Sequence, residues 1–420
     1  MTPGALLVLA LALLVADAIL RTVAEALQLR HQPTTPPPEV ADTVDAEAYD
    51  RARRYAHDRA RLRWARRATS LALTAALFAS GALATVHAWV ASWTGGGLLT
   101  PLVFLAGLGL AYDLAMLPFS LAGTFGLEAR YGFNRTTPAL FVRDKLVAYA
   151  LAVLLGGGLL ALLIVSIELW GRSFWIVYAA LLGLVTTLLA AFQTSVLLPL
   201  FNRLTPLDDG PLKDAIRAYV ATTDFALDDV YVMDGSKRSA RANAFFSGLG
   251  RTRKVVLFDT LIDKHGVEGS VAVVAHEVGH AVHRHVPKFL LGNLATITLT
   301  LFALSRLVDS ALPSRALGAD GAVLALNLIV FSVLFGPIET LIGVLVNAFS
   351  RRFEYQADAF AARTTSPEAM TSALKRFVSD ELSLPTAHPL YAALTLSHPA
   401  PVDRIRAIEV GSGVSVQPPP

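Results

Sequence analysis

The run Ala275-His276-Glu277-Val278-Gly279-His280 sets two histidines four residues apart, with a glutamate beside the first. On an α-helix that spacing leaves the two imidazoles about 40° apart around the axis and ~6 Å apart along it, so both project from one face. Two neutral imidazoles presented together suit two corners of a tetrahedral zinc site, and Glu277 stands where a base for a metal-activated water is needed. A solvated helix with two surface histidines would carry the same letters. Separating the two readings requires a third ligand, brought to the same place by the rest of the chain.

The stretch Ser350-Arg351-Arg352-Phe353-Glu354-Tyr355-Gln356-Ala357-Asp358 supplies a candidate. Its pattern is helical, and Glu354 and Asp358 share one face. Glu354 could bind the metal while Asp358 braces a ligating histidine. Two histidines and one glutamate leave a fourth position for water, as catalytic zinc sites do. The Glu-x-x-x-Asp spacing is common on solvated helices, so it gains meaning only beside the histidine pair. His283 lies a further turn along from a metal held between His276 and His280, and is not expected to be a ligand.

The elements that must position these residues lie largely in a membrane. The chain has 420 residues, 54% of them hydrophobic and 16% charged, with a net charge of +3 and a mean hydropathy of +0.52. Apolar runs long enough to cross a bilayer recur along it. Cysteine is absent, which excludes disulfides, thiolate-ligated zinc and thiol catalysis, and leaves His and carboxylates to hold any metal. The Ala, Leu and Arg usage suggests a bacterial source.

The apolar segments fall at about 5–24, 69–93, 101–125, 146–169, 174–200, 289–311 and 322–348. No Lys or Arg precedes the first, so it reads as a retained anchor rather than a cleaved signal, although Ala16-Asp17-Ala18 would suit cleavage. The loop 30–67 holds nine arginines and 126–145 holds Arg130, Arg135, Arg143 and Lys145, whereas Thr94-Gly95-Gly96-Gly97 has no charge. This alternation puts the N-terminus outside and the two basic loops in the cytoplasm, beside anionic lipid rather than nucleic acid.

The expected fold is mainly α: a polytopic membrane protein with seven transmembrane helices and a small α+β zincin-like catalytic domain. Residues 1–200 carry helices one to five, 201–288 a soluble zinc-helix domain, 289–348 helices six and seven, 349–410 the second part of the catalytic domain, and 411–420 a disordered tail. Val230–Met233, Lys254–Phe258 and 242–248 read as strands, and the zinc helix as about Val267 to His285. Two crossings separate His276 from Glu354, so both lie on one side of the membrane and can build one site.

Further short motifs accompany the metal residues: Tyr131-Gly132-Phe133-Asn134, Pro199-Leu200-Phe201-Asn202, Asn243-Ala244-Phe245-Phe246, and Ser397-His398-Pro399 with Arg404-Ile405. With the histidine pair extended to His285 and with Arg351, Glu354 and Asp358, the set resembles the integral-membrane CAAX prenyl protease 1 family of zinc metalloendopeptidases. The resemblance runs from about 131 to 405, and seven spans is also that family's count. It implies one zinc ion on His276, His280 and Glu354, with Glu277 as base. It also implies His398 and Arg404 in the active site, His398 stabilising an oxyanion. Asp358, Asn243 and Arg351 would support the metal or the substrate, Asn243 on the edge strand beside the metal, where a peptide adds. It further implies spans around a water-filled chamber, which would accommodate His87, Asp113, Glu168 and Glu339.

The partners implied are the lipid bilayer and a peptide or protein substrate, prenylated or not, arriving from the membrane or the cytoplasm, at a bacterial inner membrane. No nucleic acid is expected, and nothing in the sequence sets an oligomeric state. A quality-control protease of the HtpX type would use the same chemistry on misfolded membrane proteins. A transporter or channel with a structural metal site would explain the intramembrane charges and leave Glu277 without a role.

Overall fold

The computed structural model describes residues 1–223, 229–247 and 254–411. Helix α1 (Pro3–His31) starts at Thr2, whose Oγ1 accepts from Ala5 N. Helix α2 (Ala46–Ala79), capped by Asp45, runs unbroken from the arginine-rich stretch into the next apolar segment. At Gly81 (φ +69°) the chain bends by 69° into α3 (Ala82–Thr94). Helix α4 (Leu99–Leu121) continues through a π-helical turn to Glu128.

Helix α5 (Pro138–Leu151) passes through another π turn into α6 (Gly158–Trp170). Gly171, at φ +51°, then reverses the chain into α7 (Phe174–Phe192). The reversal is held by the Tyr178 hydroxyl, which donates to Leu159 O at 2.7 Å. A last π turn leads to the short α8 (Leu198–Phe201).

Among the described residues five helices are long and apolar enough to cross a membrane, six if α2 and α3 count together, against the seven expected. The break at Gly81 lies inside the segment expected at 69–93, because the helix of the basic loop does not stop where the span begins. The 64-residue helical run Pro138–Phe201 counts once by its continuity, although it folds back at Gly171. The apolar faces of these helices are not core: Val153, Leu154 and Leu169 are 70%, 72% and 66% exposed, as a lipid-facing surface is.

Several charges within these helices have partners. Asp113 receives Lys145 Nζ at 2.7 Å, and Asp17 pairs with Arg21 at 2.8 Å. The buried Glu25 accepts from Arg63, Trp64 and Arg67. His87 packs edge-on against Phe104, while Glu168 and Glu339 are exposed.

The membrane helices lead into a small domain built on a four-stranded sheet. Strand β1 (Leu204–Pro206) pairs antiparallel with β2 (Asp229–Met233), after the amphipathic α9 (Pro211–Ala221). Strand β3 (Ala244–Ser247) pairs antiparallel with β4 (Lys254–Phe258), and β4 runs parallel to β2, giving the order β1-β2-β4-β3. Val255, Val256 and Leu257 are fully buried, as the continuous apolar run of an inner strand requires. The short β1, ending in proline, has no readable alternation and was not expected.

Helix α10 (Asp259–Val282) contains a non-helical Gly266 (φ +64°), so the part carrying His276 and His280 starts close to the expected Val267 but stops before His283. Helix α11 (His285–Leu304) re-enters the membrane. The short connection after it folds as α12 (Ala311–Ala316). Helix α13 (Leu324–Thr364) has 41 residues, ~60 Å of rod. It carries the last apolar segment and Glu354 as one element. Helices α14 (Pro367–Glu381), α15 (Pro389–Thr395) and α16 (Pro401–Gly411) complete the domain, and their buried Met370, Leu374, Val402 and Ile405 share a core with Val255, Leu257, Val274 and Val278. Most of the tail expected at 411–420, residues 412–420, lies outside the described residues.

Two arginines tie this domain to the membrane part. Arg238 donates to Asp144, to Asn202 and to Phe201 O. Arg241 donates to Glu381, to Glu128 and to the Tyr55 hydroxyl. The Tyr131 and Asn202 motifs thus act as braces, with Tyr131 bonded to Asp58 and Asn202 to Arg238.

Candidate active site

Helices α10 and α13 pack closely, and the contact depends on Gly279. A Cβ there would lie 3.0 Å from Ala357 Cα and 3.1 Å from Ala357 O, backbone atoms that cannot swing aside. This approach brings Glu354 to the histidines. Gly279→Ala is therefore expected to hold the helices apart by a few tenths of an ångström and weaken metal binding by about 10- to 100-fold. Competition with a chromogenic chelator measures this, and an unchanged affinity would show that the spacing tolerates a methyl group.

His276 Nε2 and His280 Nε2 are 3.1 Å apart. The Glu354 carboxylate lies 3.4 Å from the first and 3.3 Å from the second. Ligand atoms around a tetrahedral zinc with bonds of ~2.05 Å are ~3.3 Å apart. Among the described residues these three form the group able to hold a metal ion, with ligand atoms all within 4.8 Å of one another.

The surrounding hydrogen bonds assign both tautomers. His276 Nδ1 sits 2.8 Å from Asp358 Oδ1, so it carries the proton and Nε2 presents a lone pair. His285 Nε2 lies 3.0 Å from Gln356 Oε1, an acceptor, which makes His285 Nδ1 an acceptor for His280 Nδ1 at 2.9 Å. His280 Nε2 is then also a lone pair. Two lone pairs and a carboxylate converge on one point, and Glu354 Oε2 is buried and receives no hydrogen bond. The donor set fits a divalent cation.

Burial opposes charge on His276, yet its contacts with Asp358 and Glu354 outweigh this and lift its pKa to about 9, so a cation bound at Nε2 would take the place of the second proton. Glu354 stays well below the usual carboxylate range because the two histidines overcome its burial. Burial likewise opposes ionisation of Asp358, but Arg404 and His276 hold its pKa down to about 2. Burial keeps His285 neutral, with a pKa of about 4, as its relay role needs. His285 is clamped against Phe353 with ring centres 4.2 Å apart.

Glu277 follows His276 on the exposed side of the same turn and is half-buried; its charge acts on that of Arg404. Arg404 grips Asp358 with two hydrogen bonds, 2.7 Å and 2.6 Å, and lies 3.5 Å from Glu354. Its guanidinium therefore braces the acids behind the metal position. His398 Nε2 lies 3.2 Å from Glu354 Oε1, and its side chain is 61% exposed, so it can reach a bound molecule. Arg351 does not reach the centre. It donates to Ala392 O and Leu396 O, both at 2.8 Å, and so anchors the turn leading to His398.

Asn243 is exposed and stands immediately before β3, an edge strand of the sheet, rather than on it as expected, since strand pairing begins at Ala244. Its carbonyl accepts from Phe258 N at 3.0 Å. His283 is not in the metal group, since the helix ends before it and Arg284 turns the backbone to φ +56°. The roles of His285, Gln356 and Gly279 are not apparent from spacing. His285 stood in the motif without an assigned role, and Gln356 follows no periodic rule.

Two family descriptions cover nearly the whole chain. "CAAX prenyl protease N-terminal, five membrane helices" matches residues 26–203, and "Peptidase family M48" matches 206–410. The "CAAX prenyl protease 1 homolog" of Oryza sativa subsp. japonica is 31% identical, with 90% of each chain covered. The Homo sapiens protein of that name is 29% identical, over 89% of this chain and 88% of its own. A solved structure, "Crystal Structure of S. mikatae Ste24p", superposes with a TM-score of 0.91 at 26% identity, covering 96% of this chain and 99% of that one.

Proposed function

The chain belongs to the CAAX prenyl protease family of M48 peptidases, and on that premise we propose that His276, His280 and Glu354 hold one zinc ion for hydrolysis of peptide bonds near the C-termini of peptides or membrane proteins. It is an integral-membrane metalloprotease. The observation that carries the site assignment is the convergence of His276 Nε2, His280 Nε2 and the buried Glu354 carboxylate, with ligand atoms 3.1 to 3.4 Å apart.

Held by His276, His280 and Glu354, zinc would supply a Lewis acid for the scissile carbonyl and lower the pKa of a water. Glu277 takes the proton of the attacking water and returns it to the leaving amine. His398 donates to the developing oxyanion. Asp358 holds the His276 tautomer, with Arg404 fixing Asp358. The outer edge of β3, at Asn243, receives the substrate backbone as an added strand.

Seven crossings are the reading that suits the helices best. A straight 64-residue helix would be ~96 Å long, about three times the hydrocarbon thickness, so the reversal at Gly171 makes Pro138–Phe201 two spans. With the bent pair as one, the count is seven. The basic loops support a cytoplasmic catalytic domain with the N-terminus outside, and the composition supports a bacterial inner membrane.

A panel of peptides, prenylated and not, incubated with purified protein and read by mass spectrometry tests the activity. The expected result is a single internal cleavage close to the C-terminus that stops on chelation and returns with zinc. Intact peptides throughout, or cleavage indifferent to the chelator, would overturn it.

A further inference from the structure

A cavity of about 330 Å³ adjoins the site, between α1, α2 and the segment that carries His398. Arg59, Arg63, Arg241 and Arg404 line it, against two carboxylates, Glu25 and Glu381. Three of these arginines are engaged. Arg63 lies 3.1 Å from Glu25, Arg241 lies 2.9 Å from Glu381, and Arg404 holds Asp358. Arg59 pairs with no carboxylate among the described residues; its guanidinium sits 5.3 Å from the centre of the Tyr55 ring. Leu29, Leu384, Tyr391 and Leu396 make much of the remaining wall apolar.

We infer that Arg59 receives the α-carboxylate at the substrate's C-terminus, so that the cavity holds the short apolar segment that follows the scissile bond. Because His398 lines the same cavity, a chain lying in it continues from the reacting carbonyl. A cation set on an aromatic ring in a partly apolar recess is left seeking an anion, and a guanidinium matches the two oxygens of a carboxylate. Side chains vary between substrates, whereas the terminal carboxylate is always present when cleavage falls near the end. The inference rests on the peptidase reading above and adds the residue that would measure distance to the terminus.

The test uses zinc-loaded protein carrying Glu277→Gln, so that binding is read without turnover. One labelled peptide is prepared as the free acid and as the C-terminal amide, and each Kd is measured by fluorescence anisotropy. The acid is expected to bind about tenfold more tightly than the amide. Adding Arg59→Gln erases that preference by weakening the acid alone, and Arg59→Lys keeps part of it, which a misfolded protein would not. Equal affinities for acid and amide, or a preference that survives Arg59→Gln, would overturn the inference. Intact binding preference without hydrolysis by the wild type would support Arg59 and contradict the peptidase reading.

Discussion

Glu277→Gln is expected to bind the same single equivalent of zinc as the wild type and to lose hydrolysis by on the order of 10³-fold or more. Glu277 is not among the three converging ligands, so its amide leaves the donor set intact. The change removes only the group able to take a proton from water. Helix α10 also keeps its packing, because the buried face beside Glu277 is made by Ala275, Val278 and Gly279. Metal analysis and peptide turnover on one preparation check both halves. Substantial activity in the metal-loaded variant would remove Glu277 from the chemistry.

Glu354→Ala is expected to drop zinc occupancy from one equivalent to background, with complete loss of turnover. Two histidines alone leave half of a tetrahedral sphere without protein ligands. Asp358 does not replace the carboxylate, since both of its oxygens are engaged by Arg404 and His276. Among the described residues, His398, 3.2 Å from Glu354 Oε1, is a side chain placed to substitute. Retained zinc in Glu354→Ala that disappears in Glu354→Ala/His398→Ala would make His398 a ligand instead. The variant also leaves Arg404 paired with Asp358, so loss of metal would not reflect a stranded buried charge.

The grouping of His276, His280 and Glu354, the proposed metal residues, was legible because a helix repeats every 3.6 residues and an even number of crossings would return the chain to the same side. His276, Glu277, His280, Glu354 and Asp358 all stand where that geometry requires. His398 and Arg404 were legible only through family likeness, since a histidine in a proline-flanked loop and a lone arginine carry no period. Their positions near Glu354 come from tertiary packing of α16 and the preceding turn. Arg351 shows the same limit: its motif was readable, but its partners are backbone carbonyls some forty residues onward.

The fold was legible in class and less so in its joints. Hydropathy marks where a chain is apolar, not where a helix breaks, so α2 ran through the expected boundary near 68 and bent at Gly81 instead. Likewise α13 crosses from membrane to domain without interruption. That continuity positions Glu354, because a rigid rod anchored in the bilayer presents it to α10. The relay from Gln356 through His285 to His280 was hidden because it joins residues whose contacts depend on how the two helices cross.

The central claim is that one metal ion, held by residues from two helices separated by two membrane crossings, performs the hydrolysis. Chelated, metal-free protein titrated with zinc while peptide cleavage is followed tests it most directly. Activity should rise linearly and level off at one equivalent. Cleavage by the metal-free protein, or activity that zinc does not restore, would contradict the account.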